Sequence, residues 1–239
     1  MKLIADLHVH TIASGHAYST IEEYAEYAKK IGLKIFAITD HGPAMPGAPH
    51  YYYFANMRML PKQINGVRVL RGIEANIINE NGDIDIAAQD MKWGELDIVL
   101  ATFHPRVGYD SQGEEKNTEV LIKAMKNPWI NAIAHPGNPK YPVNIKAIVE
   151  AAKENKVLIE INNSSDFSRP GSYERCVEIA KEVKRAGWKV MLGTDSHFSR
   201  MLGEFSSALK IVKEAGLAKE DIVNTSEKLI SQYILEKPR

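Results

Sequence analysis

The sequence predicts an α/β fold, a distorted seven-stranded (βα)7 barrel similar to a TIM barrel. Seven short apolar runs rich in β-branched residues alternate with segments of helical periodicity, a pattern typical of parallel strands joined by right-handed crossovers. The runs are apolar on both faces, as strands covered by helices are. A chain of 239 residues is about the size of one such barrel and can bury its core. Seven units rather than eight predict a closed or nearly closed barrel.

Turn residues and helix signals set the bounds of the individual elements. The predicted strands cover approximately residues 2–9, 34–39, 67–73, 97–103, 131–135, 157–162 and 189–194, each enriched in residues that favour strands. The first predicted helix, 20–31, follows Ser19, carries Glu22 and Glu23 in its first turn and ends at Gly32, which are helix start and stop signals. The other predicted helices are residues 144–155, 172–186, 203–215 and 218–235.

Two loops that follow strands differ from the other connections. Residues 42–49, directly after His41, are too rich in proline and glycine for regular structure. Residues 104–117, which start at His104, form a second long connection. Loops that follow strands lie at the carboxyl rim of a barrel, where active sites are built. The chain shows no internal repeat, low-complexity tract or linker, so we expect one domain over residues 1–239.

Composition excludes several functional classes. Thirty basic and thirty acidic residues cancel, so no overall charge favours nucleic acid or an anionic membrane. No apolar run approaches the roughly 20 residues that span a bilayer, and Met1 leads straight into a strand without room for a signal peptide. The single Cys176 cannot form an internal disulfide, which fits a cytoplasmic protein. Cys176 lies in a helical pattern and is expected to be a buried packing residue.

Histidines collect where predicted strands give way to loops. Seven of the eight lie there: His8, His10, His16, His41, His104, His135 and His197. Surface or core histidines have no reason to collect at strand ends, whereas a metal site needs several imidazoles at one point. His50 falls outside this pattern, and we expect a loop or packing role for it.

Two carboxylates complete the candidate ligand set. Residues two apart in a strand point to one side, so His8 and His10 can bind one ion together. Asp195 and His197 repeat that spacing, and Glu74 ends the third predicted strand at the same height. Each oxygen of Glu74 can take one metal, which suits a bridging role. Nine ligands, one of them shared, suffice for three ions, since a catalytic zinc takes about three protein ligands plus water.

Five short motifs follow one another along the chain: Asp6-Leu7-His8-Val9-His10-Thr11, Thr39-Asp40-His41, Gly72-Ile73-Glu74, His135-Pro136 and Gly193-Thr194-Asp195-Ser196-His197. In this order they resemble the successive motifs of the PHP (polymerase and histidinol phosphatase) superfamily. Phe103-His104, Glu160-Ile161-Asn162-Asn163-Ser164-Ser165 and Ser168-Arg169-Pro170-Gly171 resemble the small stand-alone bacterial phosphatases of the YcdX type. The resemblance covers essentially the whole chain.

The resemblance implies the PHP fold with a trinuclear site, usually of zinc, with manganese, iron or magnesium as alternatives. Carried over residue by residue, it assigns His8, His10, Glu74 and Asp195 to one ion. Glu74 would bridge to a second ion, held by His104 and His135, and a third would take His16, His41 and His197. Asp6 and Asp40 would orient ligand imidazoles or, equally well, cap loop amides. Relatives of this type suggest a homo-oligomer, a trimer by resemblance.

The predicted reaction is hydrolysis of a small phosphomonoester by a metal-dependent phosphatase. Divalent ions lower the pKa of coordinated water from 15.7 toward about 7, so a metal-bound hydroxide can act as the nucleophile. Asp195 would position that hydroxide. The alternatives are a phosphodiesterase or nuclease of the same superfamily, a histidinol phosphatase, and a non-catalytic metal-binding domain. The zero net charge and the absence of a nucleic-acid-binding module disfavour a nuclease.

Three residues are candidate substrate ligands. Arg169, in the loop after the sixth strand, and Arg106, two residues beyond His104, could hold phosphate, since a guanidinium fork matches its geometry. Either arginine could equally be a solvated surface residue. Ser165 could donate a hydrogen bond to phosphate, although serine after a strand is as common in helix capping.

Overall fold

A computed structural model describes residues 1–237. Its strands are β1 (Ala5–Val9), β2 (Ile35–Ile38), β3 (Gln63–Ile64), β4 (Val67–Asn76), β5 (Ile98–Thr102), β6 (Ala132–Ile133), β7 (Leu158–Asn162) and β8 (Val190–Gly193). Seven of them are parallel neighbours in the order β1-β2-β4-β5-β6-β7-β8, and the short β3 pairs antiparallel with β4. This arrangement confirms the distorted (βα)7 barrel.

The helices lie between these strands in sequence or follow the last of them. They are α1 (Ile21–Ile31), α2 (Tyr51–Ala55), α3 (Ala88–Trp93), α4 (Glu114–Met125), α5 (Ile145–Glu154), α6 (Ser165–Ser168), α7 (Tyr173–Ala186), α8 (Ser206–Ala215) and α9 (Glu227–Ile230). Thr20 and Glu23 form a capping box at the start of α1, and Gly32 ends it in the left-handed conformation. α4 begins at Glu114, so the connection predicted over 104–117 is shorter. Among residues 1–237, no helix is both long and apolar enough to cross a membrane.

A side chain from the end of the chain helps to close the barrel between β1 and β8. Near the rim the two strands approach directly, and the amide of Asp195 donates to the carbonyl of His8 at 2.9 Å. Further down, the Asn224 amide donates to the carbonyls of Ala5 and Leu192 and accepts from the Leu192 amide. Asn224 therefore satisfies backbone hydrogen-bonding groups on the facing edges of two strands that do not pair along their whole length.

The single helix predicted over 218–235 is wrong. That segment consists of 3-10 turns at Lys219–Asp221 and Val223–Thr225, then α9 and a π-helical turn at Ser231–Leu235. Val223, Ile230 and Ile234 are buried in the apolar core inside the barrel, and Asn224 bonds to the strand edges. The segment follows the shape of the barrel end rather than one helix axis, because its tertiary contacts outweigh its helical periodicity.

The interior of the barrel has an apolar lower layer and a polar upper layer. Inward residues at the amino ends of the strands are apolar, as at Ile35, Ile98 and Leu158. Inward residues further along the strands are polar, as at Glu74 in β4 and Glu160 in β7, and they are buried. The strands therefore carry their polar side chains to one end of the barrel, below the loops that follow them.

Candidate metal centre

An irregularity in β1 brings His8 and His10 into the barrel. Pairing between β1 and β2 shifts register between Asp6 and Val9. Leu7 packs in the interior core and Val9 in the outer core, so Leu7 and His8 both face inward. The Nε2 atoms of His8 and His10 lie 3.0 Å apart.

Glu74 lies at the centre of the site. Its carboxylate oxygens are 2.7 Å from Nδ1 of His41, and 2.8, 3.4, 3.6 and 3.9 Å from Nε2 of His135, His8, His10 and His104. Burial raises the pKa of Glu74, but the facing imidazoles of His104, His8 and His41 hold it well below its usual range. Glu74 is thus an ionised carboxylate that faces five imidazoles.

Asp195 and the remaining histidines extend the site toward solvent. Asp195 Oδ1 lies 3.1 Å from Nε2 of His10. His16 Nε2 lies 3.2 Å from Nε2 of His41, and the His197 ring centroid is 4.5 Å from that of His10. We call His8, His10, Glu74, His104, His135 and Asp195 the inner cluster, and His16, His41 and His197 the outer cluster. The structure therefore brings all nine candidate ligands to one end of the barrel.

The side chains of the two clusters form a set that can bind cations. Three overlapping groups of ligand atoms lie within 4.8 Å of one another: His8, His10 and Glu74; His41, Glu74 and His104; and His10, His41 and His197. His41 Nδ1 and Glu74 Oε2 are buried 2.7 Å apart, yet neither makes a hydrogen bond of acceptable geometry in the described chain. Buried polar atoms seldom stay without a partner, and a shared cation would satisfy both.

Neighbouring side chains orient the inner imidazoles. Glu160 accepts from Nδ1 of His8 at 2.7 Å, and Asn76 Oδ1 accepts from Nδ1 of His104 at 2.8 Å. The Asn76 amide donates in turn to Asp85 at 2.6 Å, so its oxygen faces the histidine. These contacts leave Nε2 of each ring directed at the cluster, which is the arrangement a metal requires.

Hydroxyl groups orient the other two inner imidazoles. Ser14 Oγ lies 3.1 Å from Nδ1 of His10 and donates to Asp40 Oδ1 at 2.7 Å. The Thr102 hydroxyl lies 3.2 Å from Nδ1 of His135. Asp40 therefore acts on a candidate ligand through Ser14, and not by direct contact.

Asp6 caps backbone amides, which was one of the two roles expected for it. It accepts from the amide of Thr194 at 3.1 Å, from the Thr194 hydroxyl and from the amide of Gly203. Burial raises the pKa of Asp6 to about 6, while the bonds from Thr194 and Gly203 oppose that rise. No imidazole is among its hydrogen-bond partners within residues 1–237.

The orienting residues other than Asp40 were not assigned a role from sequence. Glu160 and Asn76 occupy inward positions of apolar strands, and a polar residue there is itself a signal, since a buried charge needs partners. Thr102 and Ser14 carry no comparable signal, because threonine and serine are common in strands and turns.

The three candidate substrate ligands have different surroundings. Arg169 is mostly buried, and its Nη2 donates to Asp195 Oδ2 at 3.2 Å. Ser165 is buried and donates to Asn162 Oδ1 at 3.4 Å. Arg106 is exposed, with a backbone φ of 66°. Arg169 thus lies against the inner cluster, Ser165 lies next to a strand end, and Arg106 lies on the surface.

Cys176 and His50, which the sequence did not assign to the metal site, make packing and capping contacts. Cys176 is buried in α7, where burial raises the pKa of its thiol to about 11. This confirms its packing role. His50 precedes α2, and its Nδ1 accepts from the amide of Tyr52 at 3.4 Å, which is a capping contact in the loop.

Known proteins resemble this chain in sequence and in fold. The PHP domain matches residues 6–164. A probable phosphatase of Thermoanaerobacter sp. (strain X514) is 48% identical over 240 residues, covering 100% of this chain and 97% of that protein. A probable phosphatase of Clostridium acetobutylicum is 49% identical over 238 residues, or 99% and 96% of the two chains.

Solved structures extend the likeness to the fold. Histidinol phosphate phosphatase from Lactococcus lactis subsp. lactis, complexed with zinc, L-histidinol and phosphate, has a TM-score of 0.65 at 18% identity. The match covers 90% of this chain and 94% of that one. A putative histidinol phosphatase from Listeria monocytogenes has a TM-score of 0.62 at 15% identity, over 85% and 99% of the two chains. At such identities the likeness shows a common fold.

Proposed function

The chain belongs to the PHP domain family, and from that premise we propose that it is a metal-dependent phosphatase acting on a small phosphomonoester. One observation carries the proposal: the ionised Glu74 faces five imidazoles at the carboxyl end of the barrel. Such a set binds divalent cations. The relatives that match over nearly the whole chain are named probable phosphatases, which supports the same reaction.

We propose that the centre holds three divalent ions, with zinc preferred and manganese, iron or magnesium as alternatives. The inner cluster would hold two of them with Glu74 shared, and the outer cluster would hold the third. Zinc in the Lactococcus lactis neighbour and the imidazole-rich donor set support zinc. When bound, such ions supply Lewis-acid stabilisation of phosphoryl oxygens and a water of lowered pKa.

Arg169 is the proposed ligand of the substrate phosphoryl group. Its Nη2 is held by Asp195, while its Nη1 is buried and has no hydrogen-bond partner in residues 1–237. A buried donor without a partner at the edge of an anion-binding site would be satisfied by a phosphoryl oxygen. Arg106 and Ser165 stay weaker candidates for the same group, because Arg106 is exposed and Ser165 is already bonded to Asn162.

Asp195 is the proposed catalytic residue. Burial raises its pKa, but His8, His10 and Arg169 hold that pKa well below the usual range. Asp195 is therefore an ionised acceptor, and its Oδ1 faces His10 while its Oδ2 accepts from Arg169. In this position it can accept a hydrogen bond from the attacking water and hold the arginine that would bind the phosphoryl group.

Parallel assays of one metal-analysed preparation test the function. The purified protein, with its zinc, manganese and iron content measured, is assayed against phosphomonoesters including histidinol phosphate, against phosphodiesters and against oligonucleotides. We expect hydrolysis of monoesters that a chelator abolishes and added zinc or manganese restores. Activity on diesters or oligonucleotides alone would identify a nuclease. A metal-loaded protein with no hydrolytic activity would be a binding domain.

Three further parts of the proposal concern the protein as a whole. The single buried thiol, Cys176, supports a cytoplasmic location. We propose that residues 1–239 form one PHP domain. We also propose a homo-oligomer, which the resemblance suggests is a trimer. Light scattering of the purified protein tests this prediction.

A further inference from the structure

We propose that Glu160 is a positioning residue that sets the proton of His8 on Nδ1 and keeps its Nε2 free for a metal. The inference rests on the proposed metal centre. Both side chains are wholly buried, and Glu160 Oε1 lies 2.7 Å from Nδ1 of His8. The two residues are 152 positions apart in sequence, so the contact exists only because the barrel places β7 one strand away from β1, with β8 between them.

The other oxygen of Glu160 is held by donors whose direction cannot change. The backbone amide of His135 donates to Oε2 at 2.8 Å, and Asn162 Nδ2 donates to it at 3.2 Å. The Asn162 oxygen accepts from the amide of Ser164, so its NH2 group faces Glu160. One carboxylate thus links a ligand on β1 to the backbone of a second ligand after β6.

Two features of the backbone accompany this link. His135 has a φ of 33°, a conformation that non-glycine residues adopt only when their surroundings hold it, and Glu160 bonds its amide. A Cβ at Gly193 would lie 2.2 Å from Glu160 Oε1 and 2.5 Å from Cβ of His8. Glycine at 193 therefore leaves the space in which the carboxylate reaches the imidazole.

The donor pattern around Glu160 makes Glu160→Gln a sharp test. An amide of the same size has one acceptor and one donor end. The acceptor end must face His135 and Asn162, because both of these groups can only donate there. The NH2 end then faces Nδ1 of His8 and requires that nitrogen to accept. The proton of His8 would move to Nε2, the atom that lies 3.0 Å from Nε2 of His10 and faces the metal position.

The test measures zinc binding and the His8 proton directly. Zinc affinity is measured by chelator competition. A two-bond ¹H–¹⁵N spectrum of the zinc-free protein reports which His8 nitrogen carries the proton, since bound zinc would itself occupy Nε2. We expect Glu160→Gln to weaken zinc binding about 10- to 100-fold, the usual cost of losing a group that orients a ligand, and to move the proton to Nε2. Glu95→Gln is the matched control, because Glu95 pairs with Arg71 away from the centre, and its zinc affinity should be unchanged.

Each outcome decides the proposal. Wild-type zinc affinity in Glu160→Gln overturns it, and so does weakened affinity with the proton still on Nδ1. If the variant does not fold, the spectrum of the zinc-free wild-type protein decides, since a bare Nδ1 on His8 overturns the assignment. Failure of the proposed function has a different signature, because the wild-type protein would then bind no zinc or would hydrolyse no phosphomonoester.

Discussion

The inner and outer clusters hold their imidazoles in different ways. In the inner cluster each ring is buried, and a separate side chain orients it, as Glu160 does for His8 and Asn76 does for His104. Glu160, Asn76 and Thr102 lie on strands of the barrel, and Ser14 lies in a short 3-10 turn after β1. Sites held by strands have less freedom than sites held by loops, so the inner ligands are oriented before any ion binds.

The outer cluster lies after strand ends and is partly open to solvent. His16 is exposed and His197 is half-buried, whereas His41 is buried. The Nδ1 of His197 faces the backbone carbonyl of Asp195 at 2.9 Å, and the Nε2 of His16 lies 3.2 Å from that of His41, another candidate ligand. We therefore expect the two clusters to differ in metal affinity, so that the outer cluster loses its ion first.

Glu74→Ala should produce the largest loss, because its carboxylate contacts histidines of both clusters. We expect metal content to fall by about two ions per chain and kcat/KM to fall by about a thousandfold or more, since Lewis-acid stabilisation contributes several kcal/mol. Elemental analysis and steady-state kinetics check both. Metal content close to that of the wild type would remove Glu74 from its central role.

Arg169→Ala should come next and should leave the metals in place. Loss of a charge-assisted hydrogen bond costs roughly 1.5–3 kcal/mol, so kcat/KM on phosphomonoesters should fall by about ten- to a hundredfold. Arg169→Lys should restore only part of the activity, because lysine keeps the charge and loses the fork. Metal content and thermal stability serve as controls. Full activity in Arg169→Ala would return this residue to a structural role beside Asp195.

His16→Ala should have a smaller effect confined to the outer cluster. It removes one exposed ligand, so we expect loss of about one ion per chain and a fall in kcat/KM of about tenfold, or roughly 1.4 kcal/mol. His8→Ala is the matched comparison, an imidazole removed from the inner cluster. Equal metal loss in the two variants would contradict the division into two clusters.

Stepwise removal of metal sharpens the same comparison without a mutation. The wild-type protein is dialysed against increasing concentrations of chelator, and bound metal and activity are measured at each step. We expect about one ion to leave at low chelator and the rest only at higher chelator, since two of the three outer ligands, His16 and His197, reach solvent. Release of all ions in a single step would show that burial does not separate the two clusters.

Sequence by itself determined the barrel and the candidate ligands. Apolar runs and helix caps are local signals, and they predicted the bounds of the seven parallel strands to within three residues and those of α1 to within one. Seven of the nine candidate ligands were found because histidines collect at strand ends, and Glu74 and Asp195 because they stand at the same ends. The structure brings all nine together. Each of these features depends on side chains that are neighbours, or nearly so, along the chain.

Tertiary structure alone decided how the ligands are held and how the barrel closes. Glu160 contacts His8 from 152 positions away in sequence. Asn224 bridges β1 and β8, and it lies 219 positions from Ala5. The periodicity over 218–235 predicted one helix, but packing of Ile230 and Ile234 into the barrel end broke it into shorter turns. Such contacts depend on the packing of distant segments, which local periodicity does not encode.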